Sequence, residues 1–64
     1  MLTKKELAEI QKSLIVISEL GAADVATIDR LRPLGYIFVR GDYPDGDYKI
    51  GLTVTGKSLI NTPL

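Results

Sequence analysis

The fold of this chain is decided by one stretch of its sequence, which reads Leu34-Gly35-Tyr36-Ile37-Phe38-Val39-Arg40, then Pro44-Asp45-Gly46-Asp47, then Tyr48-Lys49-Ile50-Gly51-Leu52-Thr53-Val54-Thr55-Gly56-Lys57. Its side chains alternate with a period of two, which is typical of strands that bury one face. We expect Asp45-Gly46 to form the turn between the two runs, because Gly supplies the positive φ that hairpin turns require. The sequence therefore predicts a β-hairpin over residues 36–54. Its inward face takes Ile37, Val39, Tyr48, Ile50, Leu52 and Val54.

Beyond the hairpin, the chain predicts a last short helical piece. Thr55 is the expected N-cap, because a Thr hydroxyl accepts a hydrogen bond from a free N–H of the first turn. Lys57, Leu59 and Ile60 follow it, and the two apolar residues would close one end of the core.

The N-terminal segment predicts an amphipathic helix. Thr3 and Glu6 have the spacing of a capping box, and Leu7, Ile10, Leu14 and Ile17 recur every three or four residues. Ser13 leaves an alternative open, in which two helices cover 3–11 and 14–20. The apolar arc is widened by Ile15, Val16 and Leu20, which we expect to lie in the core or to be shared with a second subunit.

Between these elements the sequence predicts a short helix over residues 24–32. Gly21 ends the first helix and Asp24 is the expected N-cap of the next. Pro33 stops the helix, because it disfavours helical geometry in the residue before it. The residues expected to face inward are Val25, Ile28 and Leu31.

Composition limits the functions open to the chain. It has 64 residues, no Cys, no His and no net charge, so thiolate and imidazole metal sites are excluded. Without His or Cys we expect neither an enzyme nor a cofactor. The longest apolar run is Leu14 to Ile17, which is too short to cross a bilayer, and we expect a cytoplasmic protein without membrane contact. We expect one domain over residues 1–64.

Two motifs suggest ligands. Residues Gly51 to Ser58 match the phosphate-loop pattern G-x-x-x-x-G-K-[ST], but their strand-like alternation argues against a phosphate loop. Asp42, Asp45 and Asp47 offer carboxylates to a calcium ion, but their spacing departs from the EF-hand loop and no Glu closes it. Local backbone hydrogen bonding in a solvated turn is the favoured explanation of these aspartates.

Residues Val25 to Ile37 resemble the recognition helix of winged helix-turn-helix regulators, in which Leu-x-x-x-Gly-Tyr-Ile leads into a wing hairpin. Leu52 to Lys57 is similar to the Leu-Thr-x-x-Gly-Lys/Arg signature that closes the wing in regulators of the multiple-antibiotic-resistance and PadR types. The resemblance implies a small α+β winged-helix-like domain with two or three N-terminal helices, a hairpin wing and a short C-terminal helical turn.

The same resemblance implies a DNA interface. Helix 24–32 would enter the major groove, with Arg30 reading guanine and Thr27 contacting a base edge or phosphate. The wing would contact phosphates. The residues implicated are Ala26, Thr27, Arg30, Arg32, Arg40, Lys49 and Lys57.

We therefore expect a homodimer that binds double-stranded DNA, as a small transcriptional regulator or a recombination accessory factor. The alternative is a non-enzymatic protein-protein interaction or dimerisation module of winged-helix shape. Charge placement separates the two. A continuous basic face favours DNA, and cations interleaved with Asp24, Asp29 and Asp47 favour a protein partner.

Overall fold

The predicted hairpin lies in the second half of a small α+β fold. The computed structural model describes residues 2–64 and contains three helices and one two-stranded antiparallel sheet. In chain order the elements are α1 (Lys4–Leu20), α2 (Val25–Leu31), β1 (Ile37–Gly41), β2 (Tyr48–Leu52) and α3 (Val54–Ile60).

Helix α1 is continuous, which excludes the split at Ser13. Both bonds of the predicted capping box are present, with the Glu6 N–H donating to Thr3 Oγ1 at 3.1 Å. Ser13 is accommodated inside the helix, where its hydroxyl donates to the Glu9 carbonyl at 3.2 Å. The helix ends at Gly21, whose φ of 66° is the left-handed conformation expected at that position.

The inward stripe of α1 is narrower than its sequence suggested. Ile10, Leu14 and Ile17 are buried, as predicted. Ile15, Val16 and Leu20 are exposed, and Leu20 keeps 73% of its surface accessible. The expectation that these three lie in the core of the single chain is therefore wrong, because the domain offers α1 a partner on one side only.

Helix α2 begins and ends as predicted. The Asp24 carboxylate accepts from the Thr27 N–H at 3.2 Å, and Ile28 and Leu31 are buried. Val25 was expected to face inward and is instead 45% exposed. A helix of seven residues has two turns, and Ile28 and Leu31 already fill its contact with the core.

The hairpin has an inward and an outward face, as the alternation predicted. The register pairs Ile37 with Leu52 and Val39 with Ile50 on the face that packs on the core. The loop departs from the expected turn. Gly46 does not have a positive φ, which occurs instead at Gly41, with φ 104°, where β1 ends.

The chain restarts as a helix two residues earlier than expected. Thr53, not Thr55, is the N-cap of α3, and its Oγ1 accepts from the Gly56 N–H at 3.1 Å. Val54 was expected on the inward face of the strand, but it is the first helical residue and is 82% exposed. Thr53 is the last residue bonded across the hairpin, with its N–H donating to the Tyr36 carbonyl at 3.1 Å, and because its side chain caps α3 the next residue, Val54, is already helical.

The core joins all five elements into one cluster. In addition, a side chain of α1 hydrogen-bonds to carbonyl groups at the C-terminal end of α3. The Gln11 amide Nε2 lies 2.9 Å from the Leu59 carbonyl oxygen, 3.3 Å from that of Ile60 and 2.9 Å from that of Thr62. The buried residues of the cluster are Ile10, Leu14, Ile17, Ile28, Leu31, Ile37 and Ile50.

No helix within residues 2–64 is long and apolar enough to cross a membrane.

Candidate nucleic-acid interface

Two cations face each other on the outward side of the hairpin. Arg40 of β1 and Lys49 of β2 are register partners, and both are exposed. Like charges directly opposite each other destabilise a sheet. An anion placed between them would remove that repulsion, so this pair of side chains is suited to a phosphate group.

An aromatic ring lies next to the two cations. Phe38 is one outward position before Arg40 and remains 39% exposed. Its ring covers Gly51, where an added Cβ would come within 2.6 Å of the ring, so Gly51 provides the space for it. The guanidinium carbon of Arg40 lies 5.2 Å from the ring centroid, a cation–π distance. We call Phe38, Arg40 and Lys49 the outer hairpin face.

Lys57 is the exposed cation of α3. It lines an open cavity of about 440 Å³ between α1, β2 and α3, and Gly51, the register partner of Phe38, lines the same cavity. The remaining lining residues are Ser18, Leu52, Ile60 and Asn61.

One carboxylate interrupts the basic surface at the loop. A second cavity of about 330 Å³ is lined by Arg40 and Lys49 and also by Asp47, together with Gly41 and Tyr48. The strands themselves carry only cations, but Asp47 lies beside Arg40 and Lys49, which is the interleaved arrangement that favours a protein partner.

A tyrosine of the hairpin loop connects the loop to α2. The Tyr43 hydroxyl donates to Asp29 Oδ1 at 2.8 Å and lies 3.4 Å from the Val25 carbonyl oxygen. Burial of the phenol, with the added effect of Asp29, raises the pKa of Tyr43 to about 12. Arg32 lies over the same ring at 5.4 Å, and the Tyr48 ring meets it edge-on at 4.9 Å. The loop, α2 and the start of β2 are therefore joined at Tyr43.

Two residues discussed in the sequence analysis take part in this contact. Arg32, assigned to the DNA-contacting set, is exposed, and its guanidinium carbon lies 5.4 Å from the Tyr43 ring centroid. Asp29, counted against DNA binding, is exposed and accepts the hydrogen bond from the Tyr43 hydroxyl. Neither Phe38 nor Tyr43 was singled out from the sequence. The alternation did place Phe38 opposite Ile37, which was the available signal, whereas nothing in the loop sequence pointed to Tyr43.

The other α2 residues assigned to DNA contact lie on the outward side of the helix, as the sequence predicted. Ala26 and Arg30 are exposed. Thr27 is half-buried and hydrogen-bonds to Asp24, which lowers the pKa of that carboxyl group.

The two ligand motifs have local structures that explain their residues. Gly51 belongs to an antiparallel strand, and Gly56 and Lys57 lie inside α3, so the pattern does not form a loop in front of a helix. Across residues 2–64, no three carboxylates come together in a way that could hold a metal ion, and this includes Asp42, Asp45 and Asp47.

Comparison of the chain with protein-family models, curated proteins and solved structures finds no match.

Proposed function

We propose that this chain is a winged-helix-like DNA-binding domain, in which α2 enters the major groove and the hairpin is the wing. The observation that carries the proposal is the cross-strand pair Arg40 and Lys49 on the outer hairpin face. A repulsive pair of cations is suited to a polyanion, and phosphate contacts supply most of the affinity of DNA-binding proteins.

The absence of net charge limits the strength of this interaction. With eight cationic and eight anionic side chains, the chain as a whole does not attract DNA, so binding depends on a local group of cations. Arg40, Lys49 and Lys57 form that group, and Arg30 is the candidate for base reading from α2.

The contacts at Tyr43 support a joint role for wing and helix. Tyr43 fixes the hairpin loop against α2 at Asp29 and Val25, so the two elements can meet one DNA surface as a unit.

Binding of duplex DNA measured by fluorescence anisotropy across a salt series tests the proposal. For three phosphate contacts, log affinity should fall against log salt with a slope of about −2.7. The double variant Arg40→Ala with Lys49→Ala should lower the magnitude of that slope by about 2 units, and Arg30→Ala should weaken binding to a specific site by ~1–3 kcal/mol.

The matched control is Lys12→Ala, which removes an exposed cation from the side of α1 away from the core. It should leave both affinity and slope unchanged. Wild-type protein that shows no binding at low salt, or a double variant that binds as the wild type does, would contradict the proposal.

A second candidate function, protein-protein interaction, is favoured by the exposed apolar residues of α1. Val16 and Leu20 are one turn apart and both are exposed. On the DNA-binding proposal, this surface belongs to a homodimer contact. On the alternative, it receives a different protein, and the Asp47 carboxylate among the cations suits a partner of mixed charge.

A further inference from the structure

The outer hairpin face contains a side chain that phosphate binding does not use. Phe38 is held outward, on the side of the sheet opposite the core, with 39% of its surface exposed. A phenyl ring has no hydrogen-bonding group, so it contributes nothing to a phosphate site. Keeping the ring outward leaves apolar surface exposed to solvent, and the ring can interact only by packing its face or its edge against another group.

The neighbours of Phe38 build a layered group on the outer hairpin face. The ring rests against its register partner Gly51, and the Arg40 guanidinium lies over the ring at 5.2 Å, so the exposed planar surface is that of the guanidinium supported by the ring. Aromatic rings and Arg guanidinium planes are the groups on which nucleic-acid bases stack. Lys49, opposite Arg40, is in reach of a backbone phosphate next to a base stacked here.

Stacking needs a base whose face is free. Inside a duplex each base is covered above and below by its neighbours, so a side chain meets only base edges and backbone. A free face occurs at an unpaired base, as in a bulge, an overhang or a single strand.

We infer that Phe38 and Arg40 form a stacking platform for an unpaired base, with Lys49 binding the adjacent phosphate. This inference rests on the proposed function and makes it more specific, because the preferred ligand becomes a duplex that contains an unpaired base. The outer hairpin face then selects the form of the nucleic acid and not its sequence.

Competition between two short duplexes tests the inference. They share one sequence, and one of them carries a single bulged adenine. Wild-type protein should prefer the bulged duplex by about tenfold, the effect expected of one stacked base. When a fluorescent adenine analogue replaces the bulged base, stacking should quench its emission, and the chain has no Trp to interfere with this signal.

Two variants separate stacking from charge. Phe38→Leu keeps an apolar side chain and should abolish both the preference and the quenching, while the salt slope on the fully paired duplex stays the same. Arg40→Lys keeps the charge and should lower the preference, and Phe38→Tyr should retain it. Circular dichroism spectra establish that the variants are folded.

Val54→Ala is the control, because it removes exposed apolar surface outside the hairpin and outside the α1 surface assigned to the homodimer. It should leave the preference unchanged. Salt-dependent binding with equal affinity for the two duplexes would overturn the stacking inference alone. No binding to either duplex would overturn the proposed function together with it.

Discussion

At the scale of single residues, Tyr43 gives the chain a measurable response to alkaline pH. Its pKa is raised from 10.0 to about 12 in the folded state, so the unfolded chain releases this proton first. The Tyr43 contribution to stability is complete below pH 10 and is lost as the pH rises towards about 12. Urea unfolding over this interval should show a decline in stability that is smaller in Tyr43→Phe.

The control for this measurement is Tyr36→Phe, which leaves Tyr43 and its hydrogen bond to Asp29 in place. It should retain the full decline. If Tyr43→Phe and the wild type lose stability in parallel over this interval, the contact between the loop and α2 does not act as described.

Gly56 is a second residue with a testable role, because helix propensity and packing predict opposite signs. Propensity alone makes Gly56→Ala stabilising by ~1 kcal/mol. However, Gly56 is buried, and a Cβ there would overlap the Tyr36 carbonyl oxygen. We expect Gly56→Ala to lower the free energy of unfolding by about 1–3 kcal/mol, as overpacking does.

Ser58→Ala, at an exposed position of the same helix, should stay within about 0.5 kcal/mol of the wild type. Urea denaturation compares the two variants. A gain in stability for Gly56→Ala would show that α3 does not pack closely on the Tyr36 backbone.

At the scale of elements, the N-cap of α3 can be tested by mutation, because the structure shows Thr53 in this role and the sequence predicted Thr55. Thr53 Oγ1 accepts from Gly56 N–H at 3.1 Å and donates to the Gly35 carbonyl at 2.6 Å. We expect Thr53→Ala to cost ~1–2 kcal/mol of unfolding free energy, because it removes a cap and a tertiary hydrogen bond. The control is Thr55→Ala, which makes the same substitution at an exposed threonine and should change the free energy of unfolding by less than about 0.5 kcal/mol. Equal effects of the two substitutions, measured by thermal or urea unfolding, would contradict this assignment.

The same elements show which features of the fold can be predicted from sequence patterns and which cannot. The capping box, the Gly21 end of α1, the Asp24 cap and the two-residue alternation rest on local chemistry, and each is present in the structure. Val25 and Val54 fit their patterns and are nevertheless exposed. Their positions depend on how many turns α2 presents to the core and on the cap at Thr53, which starts α3 at Val54, and the spacing of apolar residues along the chain does not encode either of these.

The candidate site also has one part that the sequence could predict and one part that it could not. Alternation was enough to place Arg40 and Lys49 on the outward side of the hairpin. It could not show that Tyr43 would reach Asp29, because the two residues are brought together by the path of the loop across α2. The position of the Arg32 guanidinium over the Tyr43 ring could not be predicted for the same reason.

At the scale of the whole molecule, the exposed apolar side of α1 predicts self-association. A domain of 64 residues buries little surface, and Val16 and Leu20 remain accessible in the single chain. We expect sedimentation equilibrium to show a homodimer, and the double variant Val16→Asn with Leu20→Asn to shift it to monomer. Val54→Asn, at another exposed apolar residue, should leave the mass unchanged. A wild-type chain that is monomeric at high concentration would contradict the homodimer.

The three carbonyl contacts of Gln11 have a consequence for how the chain folds. A seven-residue helix such as α3 does not persist in water without tertiary contacts, and its last carbonyls are held by a side chain 48 residues or more away in sequence. Helix α3 should therefore order only when α1 has docked, and fraying of either helix should release the other. We expect amide hydrogen exchange in α1 and α3 to proceed through one shared opening event, so that the smallest cooperative folding unit extends from the first helix to the last.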